Sequence, residues 1–356
     1  MRRAPALIVG GGPAGSAAAI ALARGGAMPV LVERCPGERD VVCGGFLGWD
    51  ALAALGRLGL DAEALGARPI RTLRLVAGKR TVETALPRPA AGLSRRRLDA
   101  SLLGIAEQAG ATVLRGRAAR AIDGRRVRLA GGEEIEARAV FLATGKHELR
   151  GAARETGRRP LSAGLRVALA PTPKLERALA DTIERHLYDG GYAGLLLQED
   201  GAVNLCLTVA RERMAGGPEA LMRELAREAP LLAGRIDGAA PGWEAVAGIP
   251  YGWRARTTEP GLYRIGDQAA VIASLAGDGI AVALASGAAA ARACLHGDGP
   301  GARAYQPAFA RQARRPLAVA EALRHMAEHR GERTVMMRLA RIGWLARLAA
   351  RLTRIG

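Results

Sequence analysis

One segment, "ALIVGGGPAGSAAAIALARGGAMPVLVER" (6–34), restricts the fold of this chain more than any other. An apolar run, Ala6 to Val9, leads into Gly10, Gly12 and Gly15 with the spacing G-x-G-x-x-G. A small-residue helix follows, and then a second apolar run that ends at Glu33. Each position has a physical task. Gly10 permits a tight turn, Gly12 lets a pyrophosphate approach the backbone, and Gly15 allows the helix to pack closely. Ala19 lets the same helix lie near the sheet. The helix start offers free N–H groups and a partial positive charge to a phosphate. Glu33, about twenty residues beyond the turn, can accept hydrogen bonds from both ribose hydroxyls of an adenosine. The segment therefore predicts strand, turn, helix and strand around a dinucleotide. By itself it does not separate NAD from FAD, but the acid at the second strand end would repel the 2′-phosphate of NADP.

Composition narrows the class. A chain of 356 residues that is 49% hydrophobic and 24% charged is expected to be a soluble globular protein. Its longest apolar run, "GIAVALASGAAAA" (279–291), is short of the roughly 20 residues of a membrane span, so no transmembrane helix is expected. The basic start runs directly into the glycine turn and is not read as an export signal. Cys35, Cys43, Cys206 and Cys294 are scattered without a CxxC pair, which argues against a metal site or a disulfide framework and fits a reducing cytoplasm. The net charge of +18 comes almost wholly from arginine spread along the chain; Lys79, Lys146 and Lys174 are the only lysines. With abundant Ala and Gly and only 3% aromatics, this reads as compositional bias rather than a nucleic-acid surface.

Four further stretches fall in an informative order. "VVCGGFLGW" (41–49) concentrates a cysteine, glycines and aromatics. "GLSRRRLDASLLGIAEQAGATVLRG" (92–116) reads as a turn, an amphipathic helix and a short strand. "RAVFLATGKHELRG" (138–151) is a buried strand ending in Ala143-Thr144-Gly145. "GLYRIGDQAAVIASLAGDGIAVALASGAAAA" (261–291) is a strand ending at Gly266-Asp267, a loop, and a long helix beginning near Gly279.

Together these motifs resemble the FAD-dependent oxidoreductases that include geranylgeranyl reductases and the para-hydroxybenzoate-hydroxylase type of monooxygenase. The resemblance runs over about the first 290 residues and is nearer the geranylgeranyl-reductase-like branch. It implies an α/β fold: a Rossmann-like FAD-binding domain interleaved with an antiparallel-sheet substrate domain, and a helical C-terminus. It also implies cofactor contacts. Gly10, Gly12, Pro13, Ala14 and Gly15 would form the phosphate turn, with Glu33 and Arg34 at the adenosine end. Arg95 would approach the phosphate or ribityl region, and Thr144 and Gly145 would pass close to the adenosine half. Gly266 and Asp267 would hold the ribityl chain. The Gly277–Ile280 segment, with Gly279 and Ile280 N–H groups leading, would face the flavin N1 and O2 edge, where a helix start stabilises the charge of the reduced ring. Cys43, Gly44 and Gly45 would lie beside the isoalloxazine, with Phe46 or Trp49 covering it. Cys43 then reads either as a thiol in the substrate cavity or as a small packing residue.

The chain also departs from both subfamilies. "ATGKHELRG" replaces the hydroxylases' Asp-Gly segment, and Gly266-Asp267-Gln268 replaces their GDAAH. The reductases' aromatic motif survives only as "GGYAGLLLQEDG" (190–201), which keeps Tyr192. The catalytic candidates are therefore Cys43, Tyr192 and His186, with Lys146 and His147 as further titratable groups.

The expected domain layout places FAD binding in 1–64, 91–159 and 256–300. The substrate domain takes 65–90 and 160–255, where "GLRVALAP", "HLYDGGYAGLLLQEDG" and "GAVNLCLTVAR" read as half-buried strands, and a helical segment takes 301–356. In the tail, Trp344, Leu345, Leu348, Leu352 and Ile355 share one face and Arg347, Arg351 and Arg354 the other. That pattern suits a helix packed over the protein's own cavity, the favoured reading, or a peripheral membrane helix. The expected function is oxidation or reduction of a bulky lipophilic, prenyl or polyketide-like small molecule by hydride exchange with flavin N5, with NAD(P)H or another electron donor. Hydroxylation of an aromatic or polyketide substrate is the alternative, and a basic, non-enzymatic binding protein on a flavoprotein fold is the alternative of another class.

Overall fold

In the computed structural model, which describes residues 2–236, 242–297 and 301–355, the first strand extends well beyond its apolar run. Pairing on one edge, from Arg2 with Ile135 to Val9 with Leu142, carries it back to Arg2, while the other edge pairs only Leu7 to Val9, the last with Val32. In chain order the elements are β1 (Arg2–Val9), α1 (Pro13–Arg24), β2 (Val30–Glu33), β3 (Phe46–Leu47), α2 (Trp49–Leu58), β4 (Arg68–Ala77), β5 (Arg80–Gly92), α3 (Arg95–Gln108), β6 (Thr112–Arg115), β7 (Ala119–Asp123), β8 (Arg126–Leu129) and β9 (Glu134–Leu142). They continue as β10 (Ser162–Leu169), α4 (Pro173–Leu179), β11 (Thr182–Tyr188), β12 (Gly191–Leu197), β13 (Val203–Ala210), α5 (Gly217–Glu228), α6 (Pro230–Ile236), β14 (Glu244–Ile249), β15 (Leu262–Arg264), α7 (Gly279–His296), α8 (Gly301–Glu328), α9 (Arg330–Ala340) and α10 (Gly343–Leu352). The expected boundary at 300 falls within 298–300, outside the described residues.

Two sheets organise the chain. In the first, β6, β2, β1 and β9 run parallel, β15 adds in parallel to β9, and the β8–β7 hairpin closes the edge. Leu7, Ile8, Leu31, Val140 and Phe141 are buried because helices and the hairpin cover both faces, the condition under which parallel strands become continuously apolar. Each such side chain contributes about 1.5–3 kcal/mol by leaving water. α1 and α7 pack unusually closely: a Cβ on Gly287 would strike the Ala14 carbonyl. α7 is long and apolar enough to cross a membrane, yet the face carrying Ala281, Leu284, Gly287 and Ala291 is buried in this core.

The second sheet has the order β14-β10-β13-β12-β11-β4-β5-β3. It departs from the antiparallel expectation at one place, where β4 and β11 pair in parallel across a long connection that includes β6 to β9 of the first sheet. The 160–210 strands are also buried on both faces rather than half-buried: α4, α5 and α6 cover one side, giving the cluster of Leu165, Leu195, Leu205, Leu221 and Leu232, and the loops at Cys43 and Ser274 lie against the other. Phe46 and Leu47, in the expected FAD-binding segment 1–64, pair with Gly92 and Ala91, in the expected segment 91–159, at the end of β5 in the second sheet. The stretch 41–45 therefore crosses from one sheet to the other.

Candidate functional site

The glycine turn joins β1 to α1 in the manner its spacing requires. Gly10 has φ +110°, and a Cβ there would collide with the Ala143 carbonyl; a Cβ on Gly15 would collide with the Gly10 carbonyl. α1 begins with Gly12 as N-cap and no side-chain cap, so the amides of Ala14 and Gly15, beyond Pro13, face outward as donors. Glu33 accepts from the backbone N–H of Gly11 at 2.7 Å and of Cys35 at 2.9 Å. A carboxylate has about four acceptor sites, so its remaining lone pairs stay available for ribose hydroxyls. Arg34 is exposed and meets His147 at 2.9 Å. Burial and then the cations Arg34, Arg39, Lys146 and Arg154 hold the His147 imidazole below its usual range, so this end stays strongly positive through arginine.

Arg95 reaches the turn from α3, whose N-terminus is capped by Ser94. Its guanidinium would lie 3.2 Å from a Cβ on Gly12 and is held as a fork by Asp99 at 2.8 and 2.7 Å. Burial opposes this charge, but Asp99 and the nearby Cys43 outweigh it and raise the pKa. Thr144 caps the strand end by donating to the His147 carbonyl at 2.7 Å, and Gly145 takes φ +61°. Gln268, the residue that departs from the hydroxylase pattern, donates to the carbonyls of Gly145 and His147 at 2.9 and 3.1 Å. It thereby locks the "ATG" strand end to the Gly266-Asp267 turn. Asp267 is ion-paired with Lys146 at 3.2 Å, which removes Lys146 from the candidate acids and bases and raises its pKa.

The helix start at 277–280 is built from below by Phe46: a Cβ on Gly277 would lie 2.7 Å from its ring. Phe46 thus supports the loop instead of covering a bound ring. Gly279 and Gly44 face the opposite situation, since a Cβ on either would meet nothing within 4 Å. Gly45 has φ +67° and lies under Gln198 and the Leu93 carbonyl. The Cys43 carbonyl accepts from Asn204 at 2.9 Å, Asn204 accepts from Arg166 at 2.9 Å, and Arg166 pairs with Asp40 at 2.8 Å. This strap ties the crossing loop to β13 and β10. No spacing in the sequence marks it, because its members lie 38 to 161 residues apart. The Gly45 amide points at Cys43 Sγ, 3.5 Å away.

Tyr192 and His186, both catalytic candidates, separate by strand parity. Tyr192 faces the crossing-loop side, where its hydroxyl meets Ser274 at 2.6 Å and accepts from the Leu275 amide at 2.9 Å. Ser274 also meets Thr208 at 3.0 Å and Tyr251 at 2.8 Å, and burial keeps both phenols neutral by raising their pKa values. His186 lies on the other face, 1% exposed, with Nε2 at 2.7 Å from Glu184. Glu184 also binds Arg74 and Arg235 at 2.8 and 3.0 Å. His186 is therefore a member of a buried ion cluster and is withdrawn from the site.

The tail departs from its expected pattern as well. Arg354 turns inward, lies 4.1 Å over the ring of Trp49 and pairs with Asp278, the N-cap of α7, and with Asp50. Ile355 is buried, whereas Trp344 and Leu348 are 60% and 43% exposed. The single apolar face expected for this helix is thus divided, one half covering the protein and the other facing outward.

The profile of the FAD-binding domain family matches residues 3–186, more than half of the chain. The chain belongs to that family. FAD is its cofactor, and the glycine turn, uncapped α1, Glu33 and the unobstructed Gly44 and Gly279 fit the group. A menaquinone reductase of Mycobacterium tuberculosis is 35% identical over 167 residues, covering 44% of this chain and 40% of that protein. The chloroplastic geranylgeranyl diphosphate reductase of Oryza sativa is 37% identical over 120 residues, 32% of this chain and 25% of that one. The chain thus matches less than half the length of these curated relatives. Among solved structures, a geranylgeranyl bacteriochlorophyll reductase-like protein of Thermoplasma acidophilum superposes with a TM-score of 0.78 at 20% identity, over 100% of this chain and 94% of that one. PqsL of Pseudomonas aeruginosa in complex with 2-aminobenzoylacetate gives 0.72 at 20% identity, over 93% and 98%. Both share the fold.

Proposed function

We propose that this FAD-family protein is an oxidoreductase that exchanges hydride between flavin N5 and a carbon–carbon bond of a bulky lipophilic small molecule. The observation that carries the reading is the crossing loop, which sets Cys43-Gly44-Gly45 between the nucleotide-binding sheet and the buried face of the second sheet. The similarity to reductases of a quinone and of a prenyl diphosphate supports the same direction. FAD, when bound, supplies the hydride chemistry. The α1 N-terminus would hold its phosphates, Arg95 would lie at the phosphate or ribityl region, and the amides of Gly279 and Ile280 would direct a positive helix end at developing charge. Cys43 is the proposed group for proton exchange with the substrate, while Tyr192 orders the Ser274 loop through a neutral phenol. NAD(P)H is the proposed electron source.

Anaerobic photoreduction of the FAD-loaded protein, followed by admission of oxygen, tests this reading. Reoxidation should yield no hydroxylated product with aromatic probes, and before oxygen is admitted a polyprenyl probe that keeps its carbon–carbon double bonds should take hydride from the photoreduced flavin and return it to the oxidised form. Cys43→Ala should keep FAD affinity while turnover with that probe falls about 10²-fold. Oxygen-dependent hydroxylation would favour the monooxygenase reading instead.

We further propose that α9 and α10 rest on an anionic membrane surface. Among the described residues five of the eight exposed large hydrophobics, Val335, Leu339, Ile342, Trp344 and Leu348, fall within this short segment. Exposed Arg338, Arg341, Arg347 and Arg351 lie among them, with no salt bridge among the described residues, the composition of an interfacial helix. The protein should cosediment with phosphatidylglycerol vesicles and not with phosphatidylcholine vesicles, and Trp344→Glu/Leu348→Glu should abolish binding. Equal recovery in the supernatant with both vesicle types would contradict it.

A further inference from the structure

Among the described residues three arginines are buried, and two of them have an obvious counter-charge: Arg154 pairs with Glu148 and Arg166 with Asp40. Arg185 does not. It is 6% exposed, and among the described residues its guanidinium makes no hydrogen bond or salt bridge. Burial lowers its pKa, and the groups that act most strongly on its charge, Tyr192, Cys206, Cys43 and Tyr251, include no carboxylate. A guanidinium in such surroundings is costly to keep charged unless something compensates it.

Strand register shows where it points. Arg185 lies opposite Gly194, Gly194 opposite Cys206, and Cys206 opposite Arg166, so these residues form one row across β11, β12, β13 and β10. Alternation along β11 sends Glu184 and His186 to the far face and leaves Arg185 on the face shared with Tyr192. Gly194 makes the room: a Cβ there would lie 2.5 Å from Arg185 Nη1. Two residues further along β13, Asn204 reaches the Cys43 carbonyl on this same face. Cys206 is a neutral thiol, pushed up to about 12 by burial, and supplies no charge. The guanidinium therefore extends over Gly194 into the layer between the second sheet and the crossing loop.

We infer that Arg185 is the anchor for an anionic oxygen, a carboxylate or an acidic enol or phenol, carried by the lipophilic substrate. This deepens the proposed function and rests on its placing of substrate between the second sheet and Cys43. A planar fork of N–H donors matches a carboxylate in two parallel hydrogen bonds, and Tyr192 and Tyr251 supply apolar ring surface beside it. Arg185 is thus a specificity residue, setting which end of the substrate is held away from the flavin.

The test is calorimetric titration of the purified protein with 2-naphthoate and 2-naphthamide, which differ in charge and scarcely in shape. Wild type should bind the acid roughly 10- to 100-fold more tightly than the amide. Arg185→Met should erase that ratio, Arg185→Lys should keep part of it, and flavin occupancy should not change. Because the arginine has no partner to leave behind, Arg185→Met should melt at or above the wild-type temperature, whereas a structural arginine would lower it. The inference is overturned if wild type fails to prefer the acid, if neither probe binds, or if Arg185→Met keeps the preference. Calorimetry does not depend on flavin, so absence of FAD would count against the flavoenzyme reading separately from the anion site.

Discussion

Gly15→Ala is expected to yield a protein that takes up no FAD and is destabilised by about 3 kcal/mol or more. The added methyl would overlap the Gly10 carbonyl oxygen, which belongs to the backbone and cannot rotate away. Moving that carbonyl displaces Gly10, itself held at φ +110° against Ala143 at the end of β9. The disturbance therefore reaches both strands that frame the phosphate turn. The measurement is flavin-to-protein absorbance after reconstitution, with thermal unfolding followed by circular dichroism. Gly44→Ala provides the contrast, since its methyl meets nothing within 4 Å of the protein. It should melt like wild type and still lose FAD affinity, because the methyl enters the space proposed for the isoalloxazine. A Gly15→Ala protein with full flavin content would remove the turn from the cofactor site.

Glu184→Gln should cost about 3 kcal/mol, near the low end for breaking a buried ion pair. Glu184 is 1% exposed and serves Arg74, Arg235 and His186 together. The variant leaves these groups without their shared anion, although Arg74 keeps Glu83 and both arginines remain one-fifth exposed, which moderates the loss. Burial alone would raise the carboxyl pKa, but His186, Arg235 and Arg74 overcome it and hold it well below the ordinary range. A depressed carboxylate stabilises the fold fully above its unfolded pKa of about 4.3, and that stabilisation is lost as pH falls below this value. Denaturant melts should therefore show the full gap between wild type and variant at pH 7 and a shrinking gap as pH falls from about 4.3. A gap independent of pH would show that the cluster does not act through this charge. FAD content should be unaffected, since the cluster occupies the sheet face away from Cys43.

The ion cluster and the anion anchor are sequence neighbours with opposite fates. Glu184, Arg185 and His186 read identically as charged residues in an apolar strand, and no local pattern tells which of them reaches substrate. In β11 the odd-numbered and even-numbered side chains go to different faces, and which face meets the crossing loop depends on pairing with β12 and β4, the latter over a hundred residues upstream. The tail behaves in the same way. Helical periodicity placed Arg354 with Arg347 and Arg351, but the helix ends at Leu352, and beyond it the chain turns Arg354 onto Trp49 and Asp278.

By itself the sequence determined the nucleotide-binding half: the glycine turn, the uncapped α1, Glu33 at the end of β2, and the later strand ends at Gly145 and Gly266. Those features are marked by short motifs of fixed spacing and by backbone angles only glycine adopts readily, so residue type and spacing along the chain are enough to reveal them. Tertiary structure alone decided the substrate side: the Arg166–Asn204 strap on Cys43, the Ser274 hub under Tyr192, and the direction of Arg185. These depend on strand parity and on pairing between segments far apart in sequence, where a shift of one residue would reverse every face.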